Sequence, residues 1–243
     1  MRLIYWLRRA YSGVLYKRVY RRLYPDRPFF TPRAISEIDK RLKPGSRVFE
    51  WGSGISTTWL AKRVAELITV EHDIAWYEST ARNIGAQRLT NVTLVYAAPN
   101  RHENDFSWST QWRFYEVLHH APKKKEFKDY MSVIDRYPDS YFDCIAIDGR
   151  ERIGCLMHAM QKLRSNGFVI FDDTLRRQYE ELFDLTTGWR VERYPFGLKE
   201  TTLLFPACKA TQRTELHGSA GSACDHGMQP DEDIRRAFCT TNP

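Results

Sequence analysis

The sequence predicts an α/β fold: a mostly parallel sheet, covered by helices on both faces and closed by an antiparallel hairpin. Three observations predict it. Short, continuous apolar runs alternate with helix-like stretches through the middle of the chain, the pattern of buried parallel strands joined by crossover helices. The first run, Val48-Phe49-Glu50-Trp51-Gly52-Ser53-Gly54, passes through two glycines directly into a helical stretch. The last two runs, 189–194 and 201–205, are separated by a short loop containing Pro195-Phe196-Gly197, which reads as a hairpin.

The elements follow in order. Leu3, Ile4, Leu7, Tyr11, Val14, Leu15 and Val19 recur at spacings of three and four, so residues 2–23 read as an amphipathic helix. Pro25, Pro28 and Pro32 break it, and a second helix is expected over 32–41. Pro44-Gly45 turns the chain into the first strand, 47–50. Further strands are expected at 67–71, 92–96, 142–148 and 168–171, and helices at 57–66, 75–84, 153–163 and 176–185. Residues 97–140 are long for a connection and hold Trp108, Trp112, Phe114 and Tyr115, which suggests a helix and a substrate lid. Residues 207–243 are polar and poor in aliphatic side chains, so a mostly disordered tail is expected. The division is therefore 1–25, a basic helix; 30–206, one domain with the insert 97–140; and 207–243, a tail.

Composition narrows the class. A chain of 243 residues can bury a substantial core, and no apolar stretch reaches transmembrane length. Five cysteines form no C-x-x-C pair and are odd in number, so buried free thiols in a reducing, cytoplasmic setting are expected. No secretory signal is legible at the N-terminus. The net charge of +7 is unevenly placed. Arg2, Arg8, Arg9, Lys17, Arg18, Arg21 and Arg22 supply all of it, and the other 30 basic and 30 acidic residues cancel. That N-terminal helix suits an anionic membrane surface at the inner face, a protein partner, or packing on the domain. Nucleic acid is disfavoured because the rest of the chain is neutral. Oligomeric state is left open.

Four strand ends carry chemistry. In Glu50-Trp51-Gly52-Ser53-Gly54 the third glycine of a dinucleotide fingerprint is missing, since Ile55-Ser56-Thr57 follows. A pyrophosphate is therefore a poor guess. An acid just before the glycines suits a cofactor with a positive centre and an ammonium group, and S-adenosyl-L-methionine has both. Some 20 residues on, Glu71-His72-Asp73 ends the second strand, where a carboxylate reaches ribose hydroxyls. Asp148 ends the fourth strand, with Arg150 and Arg152 close behind, either to neutralise it or to bind an anionic substrate group. Asp172-Asp173 ends the fifth. With Asp148 these could hold a divalent ion such as Mg, or one of them could simply cap the next helix.

Together E-W-G-S-G-x-S-T, V-E-H-D, F-D-x-I-x-I-D-G-R and G-F-V-I-F-D-D-T resemble the class I S-adenosylmethionine-dependent methyltransferases, nearest to their bacterial small-molecule or glycan O-methyltransferase-like members. The likeness covers about residues 30–206. It implies a Rossmann-like, seven-stranded sandwich whose last strand is antiparallel. It implies that Glu50, Gly52, Ser53 and Gly54 face the methionine part of the cofactor, that Glu71 holds the ribose, and that Ala97-Ala98 lies near the adenine; Ser56, His72 and Asp148 are further cofactor-binding candidates. Asp148, Asp172 and Asp173 match the metal set of catechol-type O-methyltransferases, except that Asp173 replaces an asparagine.

Methyl transfer needs an acceptor held in line and a base for its proton. Asp148 and His72 are the leading bases, with His119 and His120 as alternatives, and Trp108, Trp112 and Tyr115 are candidate substrate walls. The expected activity is O-methylation of a small molecule or saccharide. The alternatives are a non-catalytic relative tethered by its basic helix and, more weakly, an NAD-linked oxidoreductase.

Overall fold

The computed structural model describes residues 19, 20, 22–100, 127–179 and 181–207. Most of the basic helix, the aromatic and histidine residues of the insert between 101 and 126, and the tail lie outside the described residues. The described elements are α1 (Pro32–Arg41), β1 (Arg47–Trp51), α2 (Ile55–Ala61), β2 (Glu66–Glu71), α3 (Ile74–Ala86), β3 (Val92–Tyr96), α4 (Lys128–Ser132), β4 (Phe142–Ile147), α5 (Arg152–Lys162), β5 (Leu163–Asp172), α6 (Glu181–Leu185), β6 (Arg190–Phe196) and β7 (Lys199–Phe205).

The seven strands form one sheet in the order β3-β2-β1-β4-β5-β7-β6. The first five run parallel, and β7 lies antiparallel between β5 and β6. This is the Rossmann-like sandwich with a terminal hairpin that the sequence predicts. The order reverses between β1 and β4, and open α/β sheets bind ligands outside the carboxyl ends of the strands at that switch.

Two hydrophobic layers explain why the strands read as continuous apolar runs. On one face Phe49, Trp51, Ile145, Ile147 and Phe171 pack with Tyr130 and Leu156. On the other, Val48, Cys144, Ala146 and Ile170 pack with Ile38 and Leu60. Neighbours along a strand serve opposite faces, and burying each large side chain contributes about 1.5–3 kcal/mol. Cys144 and Cys155 are buried free thiols, as expected. Among the described residues no helix is long and apolar enough to cross a membrane.

Most element boundaries shift by one or two residues, and three elements depart further from the sequence expectation. Helix α2 stops at Ala61 instead of 66, because the Asn91 amide donates to the carbonyls of Ala61 and Val64 and ends the helix. Strand β5 begins at Leu163, paired with Phe142 across a bulge, before its apolar run starts. The helix expected over 176–185 splits into a 3₁₀ turn, Arg177–Tyr179, and α6. The short turn lets Tyr179 sink edge-on against Phe171, with centroids 5.3 Å apart.

Candidate functional site

The turn between β1 and α2 rests on a buried carboxylate. Glu50 has no exposed surface. It pairs in register with Thr69 on β2, and its Oε2 accepts from Thr69 Oγ1 at 2.8 Å and from Thr57 Oγ1 at 2.6 Å. Its Oε1 has no hydrogen bond of good geometry. Burial raises the Glu50 pKa to about 7, against the pull of the Ser56, Thr57 and Thr69 hydroxyls.

The two glycines above it do different work. Gly52 has φ +93°, and a Cβ there would lie 2.7 Å from the Gly149 backbone nitrogen. A side chain there is excluded by the neighbouring β4 turn. A Cβ on Gly54 would meet nothing within 4 Å. This is the glycine beside open space. Gly149 is constrained in turn, since a Cβ there would fall 1.9 Å from the hydroxyl of the fully buried Tyr130.

Glu71, at the end of β2, holds this turn from the side. Its Oε2 accepts from the Ser53 backbone N–H at 2.9 Å and from Ser53 Oγ at 3.0 Å. Its Oε1 accepts from the backbone N–H groups of His72 and Asp73 at 2.8 and 3.0 Å. Burial pushes the Glu71 pKa up, but the His72 ring and these N–H donors outweigh it and hold it below the ordinary value. Ser53 Oγ also reaches Thr80 on α3 at 3.1 Å. Ser56 is buried in the first turn of α2. His72 sets its Nδ1 2.9 Å from Glu71 Oε1, with its ring edge-on to Phe127 and Tyr130. Ala97 donates its N–H to the Glu71 carbonyl at 2.8 Å, so the loop after β3 does run beside this acid.

The ends of β4 and β5 are organised by cations. Arg152, 6% exposed, donates to the carbonyls of Gly149, Asp148 and Asp172 at 3.0, 2.8 and 2.5 Å. Its Nη2 also lies 2.8 Å from Asp148 Oδ1. Burial disfavours this charge, but Asp148 and its neighbours raise the pKa further. Of the two readings left open for Arg152, the structure selects neutralisation of Asp148. Asp172 has no exposed surface; its Oδ1 accepts from Thr201 Oγ1 at 2.7 Å, and its Oδ2 lies 2.5 Å from Lys199 Nζ. Burial and the Asp148 charge raise its pKa above the ordinary carboxylate value, opposed by Lys199. Asp173 adopts φ +59° and pairs with Arg176 at 2.6 Å. Asp148, Asp172 and Asp173 therefore do come together, each offering an oxygen within 4.8 Å of the others.

Lys199 is the residue that sequence reasoning missed. It stands in Gly-Leu-Lys-Glu at a hairpin tip, where a lysine reads as a solvated turn charge. Only the insertion of β7 beside β5 carries it to Asp172.

The sequence matches no protein-family model, and no curated protein matches it. Solved structures do resemble it. An rRNA methylase from Streptococcus thermophilus is 10% identical, aligned over 74% of this chain and 99% of its own, with a TM-score of 0.52. A candidate caffeoyl-CoA O-methyltransferase from Staphylococcus aureus is 12% identical, over 82% and 99%, with a TM-score of 0.51. A methyltransferase from Geobacter sulfurreducens is 13% identical, over 80% and 88%, with a TM-score of 0.50. The fold is that of the class I methyltransferases. At these identities the likeness concerns the class I methyltransferase fold, and the acceptors named for these proteins are their own.

Proposed function

We propose that this chain is an S-adenosylmethionine-dependent methyltransferase acting on a hydroxyl of a small molecule or saccharide. The observation that carries the reading is the β1–α2 turn: a buried Glu50 whose Oε1 has no hydrogen bond of good geometry, a glycine at position 54 beside open space, and Glu71 anchoring the turn through Ser53. A buried, unpaired carboxylate oxygen suits a cationic ligand, and a glycine facing space suits close approach of one. The class I fold supports the same cofactor. The missing third glycine argues against NAD.

When bound, the cofactor supplies an electrophilic methyl group on a sulfonium sulfur. The chain must then hold the acceptor and remove its proton. Asp148 and His72 are the proton acceptors nearest this reading. Asp148 stands at the carboxyl end of β4 with Arg152 on one oxygen, and His72 stands beside Glu71. O-methylation is the acceptor chemistry proposed, because a hydroxyl must lose its proton to a base such as Asp148 or His72. Residues 2–23 are proposed to rest on an anionic membrane surface, with the domain in the cytoplasm; co-sedimentation with anionic vesicles, lost on truncation of that segment, is the check.

Calorimetry with S-adenosylmethionine tests the central reading, and no heat of binding at about millimolar ligand would refute it. Glu71→Ala is expected to weaken that binding by about tenfold or more, because the Ser53 N–H and hydroxyl lose their acceptor. Unchanged affinity would mean that the site lies elsewhere. Labelled-methyl transfer to pooled hydroxyl compounds, with RNA as the competing acceptor, then tests the acceptor class.

A further inference from the structure

The carboxylates of Asp148, Asp172 and Asp173 are grouped closely enough to ligate one divalent ion. They are already matched by cations. Lys199 Nζ lies 2.5 Å from Asp172 Oδ2 and 3.7 Å from Asp173 Oδ1. Arg152 Nη2 lies 2.8 Å from Asp148 Oδ1 and 3.9 Å from Asp173 Oδ2. Arg176 Nη2 lies 2.6 Å from Asp173 Oδ2. The other oxygen of Asp172 takes the Thr201 hydroxyl. Three acids thus face three bases, and both oxygens of the most buried acid are engaged.

A divalent ion prefers six or more oxygen ligands and bears two positive charges. To reach Asp172 it would have to expel an ammonium or a hydroxyl. It would then sit among a guanidinium and an ammonium within a few ångströms, where like charges repel strongly in a poorly screened setting. Lys199 is not a floating surface charge. Its side chain is 16% exposed, and it opens β7, whose register against β5 pairs Thr201 with Asp172. The backbone ladder therefore delivers the ammonium to the acids.

We infer that Lys199 is the resident cation of this cluster, standing where a divalent metal would otherwise bind. The three carboxylates are held without a metal, by cationic side chains that the chain itself supplies. Lys199 is a positioning residue: it fixes Asp172 and Asp173 beside Asp148. The consequence for catalysis rests on the methyltransferase reading above, but the cation assignment stands on these contacts alone.

Manganese titration of the full chain, followed by electron paramagnetic resonance without cofactor or acceptor, separates the two. The wild-type protein is expected to bind no Mn²⁺ at up to about 1 mM, weaker than the usual range for built carboxylate sites. Lys199→Met should open the position and bind one Mn²⁺ at least about tenfold more tightly, and adding Asp172→Asn should abolish that gain. Lys199→Arg should behave like wild type. The inference is overturned if wild type binds one Mn²⁺ below about 1 mM and Asp172→Asn removes it. It is equally overturned if folded Lys199→Met binds no better than wild type. Should that variant fail to fold, the wild-type titration still decides. None of these readings depends on whether S-adenosylmethionine binds.

Discussion

At the β1–α2 turn one carboxylate is buried with an oxygen bare, and a glycine borders open space. At the ends of β4 and β5, three carboxylates meet three cationic side chains. Both regions lie at the carboxyl end of the same sheet, on either side of its switch point. On the proposed reading the first receives a cationic ligand; the second is already balanced by cationic side chains of the chain itself. Clustered acid alone therefore says little about ligand binding. What distinguishes a receptive site is a polar atom without a partner together with an unfilled volume, and the glycine turn offers Glu50 Oε1 and the space beside Gly54.

The comparison breaks most severely at Arg152. If the β4–β5 end is a closed electrostatic brace, removing its buried guanidinium strands Asp148 and three carbonyls. Arg152→Met should cost about 3–5 kcal/mol of stability, the range for breaking a buried pair by deleting one partner. Chemical denaturation measures it. A loss under about 1 kcal/mol would mean that the brace contributes little, as exposed ion pairs do.

Gly52→Ala comes next and tests whether that glycine serves the fold or the ligand. Its positive φ and the 2.7 Å approach to Gly149 both oppose a methyl group. A loss of about 2–4 kcal/mol is expected, from left-handed strain together with overpacking. Thermal unfolding without ligand reads it directly.

Glu50 supplies a pH signature. Its carboxyl keeps its proton to about pH 7 when folded, against an ordinary value of 4.5. Between those values the unfolded chain has released a proton that the folded chain retains. Stability therefore falls as pH rises through that window, and the full penalty is in place above it. The gap corresponds to about 3–4 kcal/mol. Burial and the Asp148 charge also raise the Asp172 pKa, so Glu50→Gln should remove only part of the slope between pH 5 and 8. Stability at pH 8 should rise while cofactor affinity falls. An unchanged slope would remove Glu50 from the comparison.

Much of the receptive region was legible in the sequence, because its parts are local. Glu50, Gly52, Ser53, Gly54 and Ser56 are consecutive or nearly so, and Glu71 ends the next strand at the spacing a βαβ unit imposes. What could not be read was the division of labour between Gly52 and Gly54, which depends on Gly149 arriving from β4. The balanced region was half legible. Its acids end predicted strands, but Lys199 reaches them only because β7 enters the sheet antiparallel between β5 and β6. No periodicity or motif encodes that pairing, and a lysine in a hairpin tip has no local signal. The candidate substrate walls Trp108, Trp112 and Tyr115 and the alternative bases His119 and His120 fall outside the described residues.

The smallest expected change in stability belongs to Gly54→Ala, and it is the sharpest test of the receptive region. Its backbone is extended, with φ 165°, and a methyl group there meets no atom within 4 Å. Stability should therefore shift by no more than about 1 kcal/mol, as for other glycine-to-alanine changes at unstrained positions. A bound cofactor pressing on that space would instead collide with the new methyl. Affinity for S-adenosylmethionine should fall by about tenfold or more, which corresponds to about 1.4 kcal/mol lost on binding and none on folding. Melting and calorimetry on the same protein separate the two. If alanine at 54 binds the cofactor as well as glycine does, the open space beside the turn is not where the ligand lies, and the bare oxygen of Glu50 needs another partner.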